Sequence, residues 1–108
     1  MTKTAVGFVA VDGLQVIAEP HRRRILRLVW DDELAAGDIA GQFEVTFGAI
    51  SQHLAVLRDV GFVEVRAEGN RRLYRANKQA LGPLRTVLEE MWSDALDVLA
   101  HTIEEEEA

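Results

Sequence analysis

Apolar residues recur with a helical period over most of this chain, and the period changes once. Val11 to Ala18 form a short apolar stretch that predicts a helix. Pro20 suits the first turn of the next one, where a missing N–H leaves nothing unsatisfied. In that second helix Ile25, Leu26, Leu28, Val29 and Trp30 make one side and Arg22, Arg23, Arg24 and Arg27 the other, and the acidic run Asp31 to Glu33 marks its end. Leu34, Ile39, Ala40 and Phe43 fit a short third helix entered at Ala36 or Gly37. After a brief connection Thr46 is placed to cap a fourth helix, in which Ile50, Leu54, Leu57 and Val60 repeat along one inward face. Gly61 then supplies the left-handed position at which helices commonly stop.

Beyond Phe62 the period drops from 3.6 to 2. Val63, Val65 and Ala67 alternate with Glu64, Arg66 and Glu68, and Leu73 alternates with Arg72 and Tyr74. Gly69-Asn70 between them provides turn chemistry, so the segment reads as a hairpin with a basic tip. A last helix is expected from Gly82 or Pro83 to about Ile103. Its apolar stripe (Leu84, Leu88, Met91, Trp92, Ala95, Leu96, Leu99, Ile103) is wider than one buried face needs. Helices, a tight turn, a longer helix and a two-stranded ribbon make a mainly α fold with a small β-hairpin, a winged helix-turn-helix. At 108 residues and 48% hydrophobic composition the chain suits one such domain. Its parts would be a helix-turn-helix at 36–60, a wing at 62–76, dimerisation helices at 11–18 and 83–103, and an acidic tail at 104–108.

Composition narrows the function. No apolar run is long enough for a bilayer span and the N-terminus lacks a secretory pattern, so a cytoplasmic protein with no membrane partner is expected. The chain has no cysteine, which excludes disulfides, thiolate metal sites and a thiol nucleophile. Its net charge of −6 is a poor match for nucleic acid, but the charge is unevenly placed. Between Pro20 and Asn77 nine arginines face eight acids, and from Arg66 to Lys78 five basic residues face the single Glu68. Because screening acts over about 10 Å at moderate salt, nearby charges set the field at a surface. An acidic total is compatible with a basic face.

The stretches "AEPHRRRILRLV", "GDIAGQF" and "GAISQHLAVLRDVGFVEVRAEGNRRLYRA" resemble, in order and spacing, the ArsR/SmtB family of small dimeric bacterial repressors. The match is strong over Ala18 to Ala76, and its most telling part is Ser51-Gln52-His53-Leu54, followed by Leu57, Gly61 and the Gly69 wing. The resemblance implies a symmetric homodimer, held by the first and last helices, on a double-stranded DNA operator. It also implies that Thr46 to Val60 is the helix that reads bases. The interface residues on this reading are Val11, Leu14, Leu84, Leu88, Met91, Trp92, Ala95 and Leu99.

With Ile50, Leu54 and Leu57 turned inward, Phe47, Gly48, Ser51, Gln52 and Ala55 face outward. Gln52 is the best base reader, since its amide pairs with an adenine edge as donor and acceptor. Ser51 reaches a base or a phosphate, Phe47 a thymine methyl, Gly48 permits close approach, and Thr46 starts the helix. His53 is a weaker DNA candidate, with packing or capping as its plainer role. Arg66, Arg71, Arg72 and Arg75 of the hairpin are phosphate or minor-groove candidates, and Arg22 and Arg23 candidates for the flanking backbone. Arg24 and Arg27 read as surface residues or partners of Asp31 or Asp59, and Tyr74 as packing on the wing base.

Some family members sense metals through cysteines before the reading helix, where this chain has Glu44 and Val45. Others use an Asp-x-His and a His-x-x-Glu on the last helix. Here His101 and Glu104 match the second half, while Glu90 and Leu88 stand in the first. Metal control is therefore a secondary reading, no cofactor is expected, and micromolar zinc or nickel is expected to leave operator affinity unchanged. The residues name no inducer. His21, His53 and His101 are scattered, with no phosphate-binding loop, nucleophile elbow or paired carboxylates, so an enzyme is not expected. A winged-helix module used only for protein contacts is the remaining alternative.

Overall fold

The computed structural model describes residues 13–93. Helix α1 occupies 13–18 of the described residues, α2 Pro20–Leu28, α3 Ala36–Ala40, α4 Phe47–Asp59 and α5 Lys78–Leu81, and a sixth helix, α6, covers 83–93. Strands β1 (Leu34–Ala35), β2 (Val63–Glu68) and β3 (Arg71–Ala76) form one antiparallel sheet in the order β1-β3-β2. The expected Val11, Ala95, Leu99, His101, Glu104 and acidic tail lie outside the described residues.

Local chemistry explains the boundaries. Pro20 opens α2 and the Glu19 carboxylate caps it by accepting from the Arg22 amide. The helix stops at Leu28, one turn before the acidic run, because Val29 takes the cap position. Thr46 Oγ1 accepts from the Ala49 amide at 3.1 Å and starts α4. At its other end Gly61, at φ 84°, allows a Schellman closure. There the Phe62 amide donates to the Leu57 carbonyl at 2.9 Å and the Gly61 amide to that of Arg58 at 3.0 Å.

Two features depart from the periodicity. Leu34 was assigned to the third helix, yet Leu34 and Ala35 pair with Tyr74 and Leu73, so the hairpin is part of a three-stranded sheet. Before the last helix, Asn77 caps the extra short helix α5 through its side-chain oxygen, and Gly82 at φ 57° separates α5 from α6.

The core is continuous. Ile25, Leu26, Val29, Ile39, Ile50, Leu54, Leu57, Phe62 and Leu88 are buried together, with Tyr74 at the base of the wing. Trp92 meets Trp30 edge-on, ring centroids 4.8 Å apart. Leu88, expected at a dimer interface, is 0% exposed within a single protomer. It and Trp92 thus serve the protomer's own core. Leu14, Val87 and Met91 are the apolar residues of α1 and α6 that stay exposed, at 55%, 45% and 44%, and Leu84 is half-buried.

Candidate nucleic-acid interface

The α4 helix is amphipathic in the sense its sequence requires. Ile50, Leu54 and Leu57 face the core, and Thr46, Phe47, Gly48, Ser51 and Gln52 are exposed on the opposite side. A Cβ placed at Gly48 would meet nothing nearer than Thr46 Oγ1 at 3.9 Å. The missing side chain therefore relieves no crowding inside the protein and leaves clearance outside it. Arg24 braces the turn before this helix, donating to the Gln42 carbonyl at 2.6 Å with its guanidinium 4.5 Å from the Phe43 ring centre.

Between the start of α4 and the wing tip runs an open cleft of about 540 Å³, bordered by Gly37, Asp38, Phe47, Ser51, Asn70, Arg71, Arg72 and Tyr74. Gly69 at φ 62° turns the hairpin so that Arg71 and Arg72 stand at its tip. Phe47 and Ser51 of α4 and two wing arginines thus border one concavity.

The wing is less positive than its own residues imply. Arg66 is held by both oxygens of Glu33, at 3.0 and 2.7 Å, and by Glu68 at 3.3 Å. Its hydrogen bonds and ion pair with Glu33 raise the Arg66 pKa further, and the Arg66 hydrogen bond holds the Glu33 carboxyl below its ordinary value. Arg71 reaches Asp38 at 3.0 Å, and Lys78 reaches Asp31 at 2.7 Å. Among the described residues no ion pair involves Arg72 or Arg75. The sequence reading missed Glu33 and Asp38 because each partner lies far away along the chain.

Two other arginines are placed away from the expected role. Arg22 donates to the Val16 carbonyl at 2.8 Å, and Arg23 to those of Ile17 and Ala18 at 2.7 and 2.9 Å. They satisfy the C-terminal carbonyls of α1, where cations are favoured, and this occupies the groups expected to meet flanking DNA. His53 is likewise half-buried, off the reading face. Its ring stacks on that of His21, with centroids 5.5 Å apart, and its Nε2 lies 3.8 Å from Glu19 Oε2. Burial pushes the His53 pKa below its ordinary value, a shift that Arg22 and His21 reinforce and Glu19 opposes.

The model of the bacterial regulatory protein arsR family matches residues 19–65. The HTH-type transcriptional regulator Rv2034 of Mycobacterium tuberculosis is 37% identical over 92 residues, covering 85% of this chain and 86% of the relative. The chain belongs to the arsR family of transcriptional regulators. It is also 31% identical over 86 residues to the transcriptional activator HlyU of Vibrio cholerae, 80% of either chain being covered. In three dimensions it is similar to the homodimeric winged helix-turn-helix DNA-binding domain of a possible ArsR-family regulator from Mycobacterium bovis. That match has a TM-score of 0.73 and 26% identity, and covers 85% of each chain. Phe47–Asp59 is the longer helix that follows the turn after α3; in winged helix-turn-helix folds the second helix of such a pair enters the major groove.

Proposed function

We propose that this arsR-family regulator works as a homodimer in the cytoplasm, reading an operator with the outer face of α4 and gripping flanking phosphates with the wing. The observation that carries this is the shared cleft, with the exposed Phe47 and Ser51 of α4 on one side and Arg71 and Arg72 on the other, and with Gln52 exposed next to Ser51 on the same helix. Gln52 pairs with a base edge, Ser51 meets a base or phosphate, Phe47 packs on a thymine methyl, and Gly48 lets the helix sit close. Arg72 is ready for a phosphate, whereas Arg71 and Arg66 must first exchange Asp38 and Glu33 for one. The single exposed contact of Arg71 with Asp38 contributes little, so that exchange costs little, whereas the bidentate Arg66–Glu33 pair gives way less readily. The exposed apolar residues Leu14, Val87 and Met91 on the terminal helices support the dimer, which doubles every DNA contact.

Occupancy of an operator overlapping a promoter excludes polymerase, so repression, including of the protein's own promoter, is the simplest outcome. A relative named as an activator has the same fold, which makes the sign a matter of operator position. The test is fluorescence anisotropy on the protein's own upstream DNA and on a scrambled duplex at two salt concentrations. Tight, sequence-dependent binding that weakens steeply with salt is expected. Equal or absent binding to both, unaffected by Gln52→Ala and Arg71→Ala, would favour a module for protein contacts.

A further inference from the structure

At the start of α2, where it meets α4, three side chains form a group the sequence does not announce. Glu19, His21 and His53 offer three ligand atoms that all lie within 4.8 Å of one another. His21 Nδ1 is 3.0 Å from Glu19 Oε1, and His53 Nε2 is 3.8 Å from Glu19 Oε2. We propose that these residues bind one divalent transition-metal ion of the zinc, cobalt and nickel class, coupling the start of α2 to α4.

The geometry is close to what such an ion needs. Ligands about 2.0–2.1 Å from a tetrahedral ion are about 3.4 Å apart, so convergence takes side-chain shifts of about an ångström and a turn of one imidazole out of the near-parallel stack, because each ring's lone pair lies in its own plane. The set is two imidazoles and one carboxylate, with a fourth position left for water. Nitrogen ligands select zinc, cobalt or nickel over magnesium and calcium, which prefer oxygen. Support comes from outside the ligands as well. The Arg22 amide donates to Glu19 Oε2 at 3.0 Å and fixes that carboxylate, and His53 is held by the rigid backbone of α4.

Two local features oppose a cation. The N-terminus of α2 is the positive end of the helix, and Arg22 lies near His53. The Arg22 guanidinium, however, is drawn away onto the Val16 and Gln15 carbonyls, and the Glu19 charge faces both rings. This site is separate from the half-matched Glu90, His101 and Glu104 pattern of the last helix, which draws on other residues.

The test is titration of the full-length protein with Co²⁺, followed by its visible ligand-field absorption, and with Zn²⁺ by calorimetry. The variants are His21→Gln, His53→Gln and His101→Gln, with circular dichroism to verify folding. One ion per protomer is expected, with affinity falling at least about tenfold in His21→Gln and His53→Gln and unchanged in His101→Gln. His21 is partly exposed, so its variant keeps the test decisive if His53→Gln fails to fold. No binding below millimolar metal, unchanged affinity in His21→Gln, or loss of binding in His101→Gln would overturn the assignment.

Discussion

Gln52 and Asp38 sit on opposite sides of the question of how this protein tells one DNA from another. Gln52 is exposed, carries no part of the core, and has an amide suited to one base. Gln52→Ala is therefore expected to leave thermal unfolding unchanged while costing about 1–3 kcal/mol of discrimination at one position of each half-site, measured by competition with single-base operator variants. Asp38 does the reverse. Its carboxylate holds Arg71 and repels phosphate, on any sequence alike. Asp38→Asn is expected to raise affinity for scrambled DNA about two- to fivefold, from the usual range for exposed pairs. A fall in affinity would show that Arg71 needs Asp38 to be positioned. The reading face was legible in the sequence because α4 carries its own start, stop and inward stripe. The Asp38 and Glu33 partnerships were not, because opposite charges far apart along the chain bear no pattern until the fold joins them. The stacking of His21 on His53 was hidden for the same reason.

Among the elements, those with local signals were read from the sequence and those created by pairing were not. Thr46 and Gly61 bracket α4, and the alternation on either side of Gly69 gives the wing. By contrast β1 is two residues long and has strand character only because Leu73 and Tyr74 lie beside it. The Asn77 cap before α5 was a signal of a common kind, masked by the longer stripe that follows. Gly61 is the sharpest test of local chemistry. Its positive φ suits no L side chain, and nothing would clash with an added Cβ. Gly61→Ala should thus destabilise by about 1–2 kcal/mol through backbone strain alone, read as a lower midpoint in urea with an unchanged slope. A pH effect belongs to the sheet. Glu33 has its pKa lowered by Arg66, so its contribution is present above the ordinary carboxylate value of 4.5 and is lost as pH falls through the folded value. Amide protection in β2, taken relative to the intrinsic exchange rate at each pH, is expected to fall in that acidic window in the native protein. In Glu33→Gln this step should be absent.

For the whole molecule, net charge was a poor guide and charge placement a better one. Even the basic wing proved partly neutralised, by Glu33, Glu68 and Asp38. In a dimer, replacing Arg72 by Ala is expected to remove two phosphate contacts. The slope of log affinity against log salt should then fall by about 2. The expected dimer surface is tested at Val87, which is exposed and holds up nothing in the protomer core. Val87→Asp should give a folded monomer in analytical ultracentrifugation, with operator affinity reduced far more than that of either half-site contact. A dimer that persists would place the interface elsewhere.

The short strand β1 leads straight into α3, with Ala35 both paired to Leu73 and serving as the cap residue of that helix. Wing and helix-turn-helix are thus joined by backbone hydrogen bonds as well as by packing. On the proposed reading, with Gln52 and Arg72 as the two contact points, this tie holds them as the jaws of one caliper. Inserting one base pair between the two points of contact is then expected to shift and rotate one of them out of reach, with tolerance to spacing changes between half-sites rather than within them.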